Sequence, residues 1–136
     1  MAIPSVHSKG QGSLMSETHD WDKVTVLENR LAQGEVLHLA PDVLGLLQRV
    51  AREVAIPDAE AQDALRTPTT AATLVREVRR RIREGSRRLM RAISEANRLK
   101  DAGDLPAARK IFEDLLAVEV VPLYRQHAEA ELSYLE

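Results

Sequence analysis

Trp21, Val24, Leu27 and Leu31 recur at spacings of three and four, the apolar stripe of a helix over about 20–33. Asp20 or Asp22 would cap it, and Gly34 would end it. The following GEVLHL segment alternates, with Val36 or Leu37 and then Leu39 apolar, but is too short for a sheet without a partner strand. It reads as an extended link. Pro41 suits the first turn of a second helix over 41–55, with Leu44, Leu47, Val50, Ala51 and Val54 on one side and Arg49, Arg52 and Glu53 on the other. Pro57 opens a short third helix, where Asp58 and Glu60 sit at the positive end of the dipole and Ala61, Ala64 and Leu65 face inward.

Thr69 or Thr70 is then placed to cap a much longer helix. From Ala71 to Ala102 no proline interrupts the helical spacing of Leu74, Val78, Ile82, Gly85, Leu89, Ala92, Ile93, Ala96 and Leu99. At helical rise this segment spans about 48 Å. Gly85-Ser86 is its weak point, suited to a bend or a close helix contact. Gly103 supplies a left-handed stop and Asp104 the next cap, leading a helix that buries Leu105, Ala108, Ile111, Phe112 and Leu115. Pro122 has no amide to donate, so the chain bends near Val121 into a last helix carrying Leu123, Tyr124, Ala128, Leu132 and Leu135.

The pattern predicts an all-α fold, a compact bundle of five or six helices around one long central helix, with residues 20–136 as a single domain. Residues 1–19 are rich in Ser, Gly, His and Lys without periodicity and read as a disordered leader or an extension. Composition agrees with the helical reading. The only aromatic residues are Trp21, Phe112, Tyr124 and Tyr134, so the core rests on Leu, Val, Ile and Ala. The absence of cysteine removes disulfides, thiolate zinc sites and cysteine nucleophiles. No apolar run approaches the roughly 18 residues of a membrane span, and the first residues lack an export-type hydrophobic stretch. A soluble cytoplasmic protein with no membrane association is the expectation.

Charge changes the picture more than composition does. The formal net charge is only −2, yet residues 76–100 hold ten Lys or Arg against three Glu, leaving −4 on residues 1–75 and −5 on residues 101–136. Arg76, Arg80, Arg83, Arg87, Arg91 and Arg98 cluster opposite the apolar stripe of the long helix. The first reading of this arginine stripe is a solvated face with local pairs, in which Glu77 meets Arg80 and Arg81, Glu84 meets Arg80, Arg87 and Arg88, and Glu95 meets Arg91 and Arg98. The second is a docking face for an acidic protein surface, through bidentate contacts. A third is a grip on nucleic-acid phosphates, which lacks the stacking aromatics or recognition module that usually accompany it.

Catalytic constellations are not apparent. His7, His19, His38 and His127 show no metal-ligand spacing, and SKGQGS lacks the ending of a phosphate loop. Glu113, Asp114, Glu119, Glu129 and Glu131 read as polar sides of helices, without the Glu-x-x-His pairs of a di-metal bundle. No catalytic, cofactor-binding or metal-binding residue is therefore assigned, and the protein is expected not to be an enzyme. The segment from Ala96 to Leu116 looks like one tetratricopeptide-type hairpin, with Ala96, Leu99, Gly103, Asp104, Ala108 and Phe112 at its small, bulky, turn and aromatic places.

The stretches DWDKVTVLENRLAQGEVLHL, LLQRVAREVAIPDAEAQDAL, LVREVRRRIREGSRRL and RLKDAGDLPAARKIFEDLLAVEVVPLYRQHAEAEL resemble the DUSAM-domain family, small paralogous bacterial proteins of myxobacterial type. The similarity covers nearly all of residues 20–135, and the 14 residues at the front have no place in the pattern. The resemblance implies a compact cytoplasmic helical protein of unknown function, present in many related versions. Such a set is more like interaction or regulatory modules than one metabolic enzyme. The expected function is a non-enzymatic protein-interaction or regulatory module using the arginine stripe on an unidentified, acidic protein partner. Nucleic-acid association through the same residues is the alternative, and a homodimer covering part of the long helix is a further expectation.

Overall fold

Three helix ends in this chain close by the same device, a left-handed residue that lets the following amide reach back to a carbonyl five residues earlier. In the computed structural model, which describes residues 11–136 with side chains from His19 onward, Gly34 (φ 91°) and Gly103 (φ 83°) fill two of these places. Glu35 N donates to Arg30 O at 3.1 Å and Asp104 N to Leu99 O at 2.9 Å. The third is Ala55 at φ 67°, where Ile56 N donates to Ala51 O at 2.8 Å. A Cβ in that conformation costs about 1 kcal/mol. Ala55→Gly is expected to stabilise the protein by about 0.5 kcal/mol, once the greater freedom of glycine in the unfolded chain is set against the relieved strain. Urea denaturation at constant slope measures it.

The described residues form six helices and no strand: α1 (Gln11–Ala32), α2 (Pro41–Glu53), α3 (Asp58–Ala64), α4 (Pro68–Asp101), α5 (Leu105–Val118) and α6 (Pro122–Ser133). The all-α expectation is met, and residues 35–40 link α1 to α2 without helix or strand. Three local expectations are corrected. α1 starts at Gln11, so Asp20 lies inside the helix and is no cap. It is buried and receives Arg49 through Nε at 3.0 Å and Nη2 at 3.3 Å, a side-chain tie across 29 residues. The first ten residues of the expected leader lie outside the described residues.

The cap of α4 is Thr67, whose Oγ1 accepts from Thr70 N at 3.1 Å, rather than Thr69 or Thr70. Pro68 then occupies the first helical position, where its missing amide costs nothing, and Thr70 Oγ1 donates back to Ala64 O at the end of α3. Leu105, expected inside, is 40% exposed because it opens α5 before that helix's apolar stripe begins.

The chain divides into two compact units, the first comprising residues up to Arg52 with Ile56–Arg79, the second Glu53–Ala55 with Arg80–Glu136. In the first, Trp21, Val24, Leu47, Val50, Ile56 and Val75 are among the buried core residues, and Arg79 Nε donates to Glu28 Oε1 at 3.1 Å beside them. In the second, Leu89, Ala92 and Ala96 of α4 cluster with Ala108, Phe112 and Leu115 of α5, and Ala128 and Leu135 close the group. The stop and cap predicted at Gly103 and Asp104 are formed: Asp104 Oδ1 accepts from Ala107 N at 3.1 Å, and Ala92 and Ala96 of α4 share one buried cluster with Phe112.

Candidate functional site

The arginines of α4 divide by what their side chains do. Arg76, Arg80, Arg87, Arg91 and Arg98 are exposed, whereas Arg83 is half-buried and already engaged by an interaction within the protein. The Arg80–Glu84 and Arg98–Glu95 pairs read from helical spacing are present. Arg80 Nη1 donates to Glu84 Oε1 at 2.8 Å, and Arg98 contacts Glu95 through both Nε and Nη2. The Arg98 hydrogen bond holds the exposed Glu95 carboxyl below the ordinary carboxylate range. Arg76, Arg87 and Arg91 make no ion pair with the described residues, so local pairing does not account for them. Met90, 65% exposed, lies next to Arg91 and one turn from Arg87.

Of the remaining arginines, Arg79 pairs with Glu28 in the first unit, and Arg81 and Arg88 organise the second. Arg81 Nη1 donates to the carbonyls of Val54 and Ala55, at 2.9 and 3.2 Å, satisfying acceptors that a helix end leaves over. Arg88 Nε donates to Glu119 Oε1 at 3.1 Å instead of pairing with Glu84. Glu119, placed on a polar helix side by the sequence reading, is in fact 2% exposed and sits in the link between α5 and α6. Its Oε2 accepts from Val120 N at 3.1 Å and Val121 N at 3.0 Å, so the carboxylate fixes the link just before α6 from inside the protein. Arg125 Nη1 closes the arrangement by donating to the Leu116 and Glu119 carbonyls.

Gly85 explains how these groups fit. A Cβ there would meet Tyr124 Cδ2 at 2.5 Å and Glu119 Oε2 at 3.0 Å, so glycine is the residue that admits the ring of α6 against α4. The Tyr124 hydroxyl donates to Ile82 O at 3.1 Å, one turn earlier. The close helix contact expected at Gly85-Ser86 is thus the outcome, and α4 continues through it. Glycine inside an otherwise regular helical stripe was the available sequence signal. The inward turn of Arg88 and Glu119 had none, because the two lie 31 residues apart.

Between α4 and the α5–α6 link lies a cleft of about 230 Å³ lined by Arg80, Arg81, Glu84, Arg88, Val118 and Val120. Among the described residues no group of three or more His, Cys, Asp or Glu could hold a metal ion. No helix there is long and apolar enough to cross a membrane.

The fold and site define an all-α protein whose distinctive surface is a row of arginines on one long helix. The chain belongs to a family described as a protein of unknown function, DUF2379, whose pattern matches residues 19–135. No curated protein and no solved structure matches it.

Proposed function

We propose that this protein is a non-enzymatic interaction or regulatory module, in keeping with the DUSAM resemblance, acting in the cytoplasm by docking an acidic protein surface onto α4. The reading is carried by exposed Arg76, Arg87 and Arg91, which lack ion pairs among the described residues, with exposed Met90 between two of them. Guanidinium groups present planar forks that match carboxylates bidentately, and a methionine among them gives an apolar contact that adapts to a protein surface. A phosphate backbone draws on the guanidiniums alone, so Met90 favours the protein over nucleic acid.

The test is capture of partners from the native cell by tagged wild-type protein and by the Arg87→Glu, Arg91→Glu, Arg98→Glu triple variant, each with and without nuclease. Partners held by the wild type after nuclease treatment and lost by the triple variant are the expected result. Material that disappears with nuclease would move the same arginines to nucleic acid. Identical capture by both proteins would remove the stripe from function.

A further inference from the structure

The chain from Val118 to Val120 is partitioned inside out. Val118 is 59% exposed and Val120 46%, while Glu119 between them is 2% exposed. Glu119 and Val121 have extended backbones, ψ 131° and 117°, so neighbouring side chains there point to opposite sides. A solvated link would be expected to place the carboxylate outside and the valines inside. Here the charge goes in, where it holds Arg88 by Nε, and the two valines go out, where they line the same cleft as Arg88. Arg88 makes no other hydrogen bond with the described residues, so its terminal nitrogens keep their donors. A buried ion pair contributes little net stability compared with apolar packing, and one retained here positions a guanidinium.

We propose that this cleft seats a glutamate or aspartate side chain of a partner protein, flanked by aliphatic residues that cover Val118 and Val120. Three guanidinium groups, of Arg80, Arg81 and Arg88, line it, with the Glu84 carboxylate on Arg80 and that of Glu119 behind Arg88, so positive charge exceeds negative among these groups. The walls are therefore complementary to an anion, and the valines to its apolar neighbours. A volume of about 230 Å³ lies below the roughly 300–1,000 Å³ of pockets that enclose a whole small molecule, and fits side chains entering from a docked surface. The inference rests on the interaction-module reading and adds a specific seat beside the stripe.

The test is a methyl-detected NMR titration of the full chain with a capped octapeptide alternating leucine and glutamate. A glutamine-for-glutamate peptide and a single-stranded oligonucleotide serve as comparators. Saturable movement of the Val118 and Val120 methyls is expected, with about tenfold weaker binding of the glutamine peptide. Val118→Asp, at an exposed position, is expected to weaken binding by about tenfold while leaving the spectrum dispersed. Arg88→Lys keeps a cation for Glu119 but loses the fork, and is expected to weaken binding as well.

Valine methyls that stay still at millimolar peptide, equal binding of both peptides, or stronger movement with the oligonucleotide would each overturn the proposal. Peptide shifts confined to the Met90 methyl, beside Arg87 and Arg91, would remove the cleft and leave the stripe reading standing. Specific filling of the cleft combined with unchanged partner capture by the triple variant would do the reverse.

Discussion

Glu119→Ala is expected to lower the stability of the protein by about 3 kcal/mol, moving the thermal midpoint down by roughly 10 °C. The carboxylate has three donors, Arg88 Nε and the amides of Val120 and Val121, and its side chain is fully enclosed. Alanine leaves all three without their acceptor. Each abandoned buried donor costs about 1–3 kcal/mol, and Arg88, at 35% side-chain exposure, regains part of its loss from water. Glu119→Gln keeps the shape and one acceptor oxygen, so it is expected to cost less, about 1–2 kcal/mol. The contrast is informative, because an exposed glutamate on a helix side would tolerate both changes within about 0.5 kcal/mol. Thermal and urea unfolding of the three proteins measure it.

Gly85→Ala is expected to destabilise by about 1–2 kcal/mol, although alanine is the better helix former by about 1 kcal/mol. The sign follows from the space available. The added methyl would lie 2.5 and 2.8 Å from two carbons of the Tyr124 ring, and the ring is anchored by its hydroxyl to Ile82 O. Something must move, and both α6 and the Glu119 carboxylate at 3.0 Å stand in the way. Gly85→Leu is expected to cost about 3 kcal/mol or more, since no part of a branched side chain fits. In a Tyr124→Ala background the clash with the ring is gone, and the same Gly85→Ala change is expected to become neutral or stabilising. A double-mutant cycle therefore reads the contact directly. Destabilisation that is unchanged in the Tyr124→Ala background would assign the role of Gly85 elsewhere.

Local physics carried much of the fold into the sequence. The spacing of apolar residues, Pro41, Pro57 and Pro122 at helix starts, and the Gly103-Asp104 stop and cap each depend on neighbours within one or two turns. Helix boundaries failed where a polar residue had two possible employers. Asp20 has the chemistry of a cap and is taken instead by Arg49, and Thr67, one residue before Pro68, outcompetes Thr69 and Thr70. Ala55 closes a helix in a conformation that the sequence signals for glycine do not anticipate.

The candidate site divides in the same way. A helix of known phase places Arg76, Arg87 and Arg91 on one face, and the structure leaves them exposed there. Arg79, Arg81 and Arg88 belong to the same run of charges and are spent on Glu28, on the Val54 and Ala55 carbonyls, and on Glu119. These partners are 26 to 51 residues distant in sequence, and no periodicity within α4 distinguishes a guanidinium that reaches back into the protein from one that meets solvent.

The measurement that bears most directly on the account is the affinity of a purified, captured partner for the wild-type protein and for the Arg87→Glu, Arg91→Glu, Arg98→Glu triple variant, taken at two salt concentrations by calorimetry. Reversal of three interface charges is expected to weaken binding by about 100-fold or more, with the wild-type affinity falling as salt rises. Equal affinities for the two proteins, independent of salt, would contradict the assignment of α4 as the docking surface.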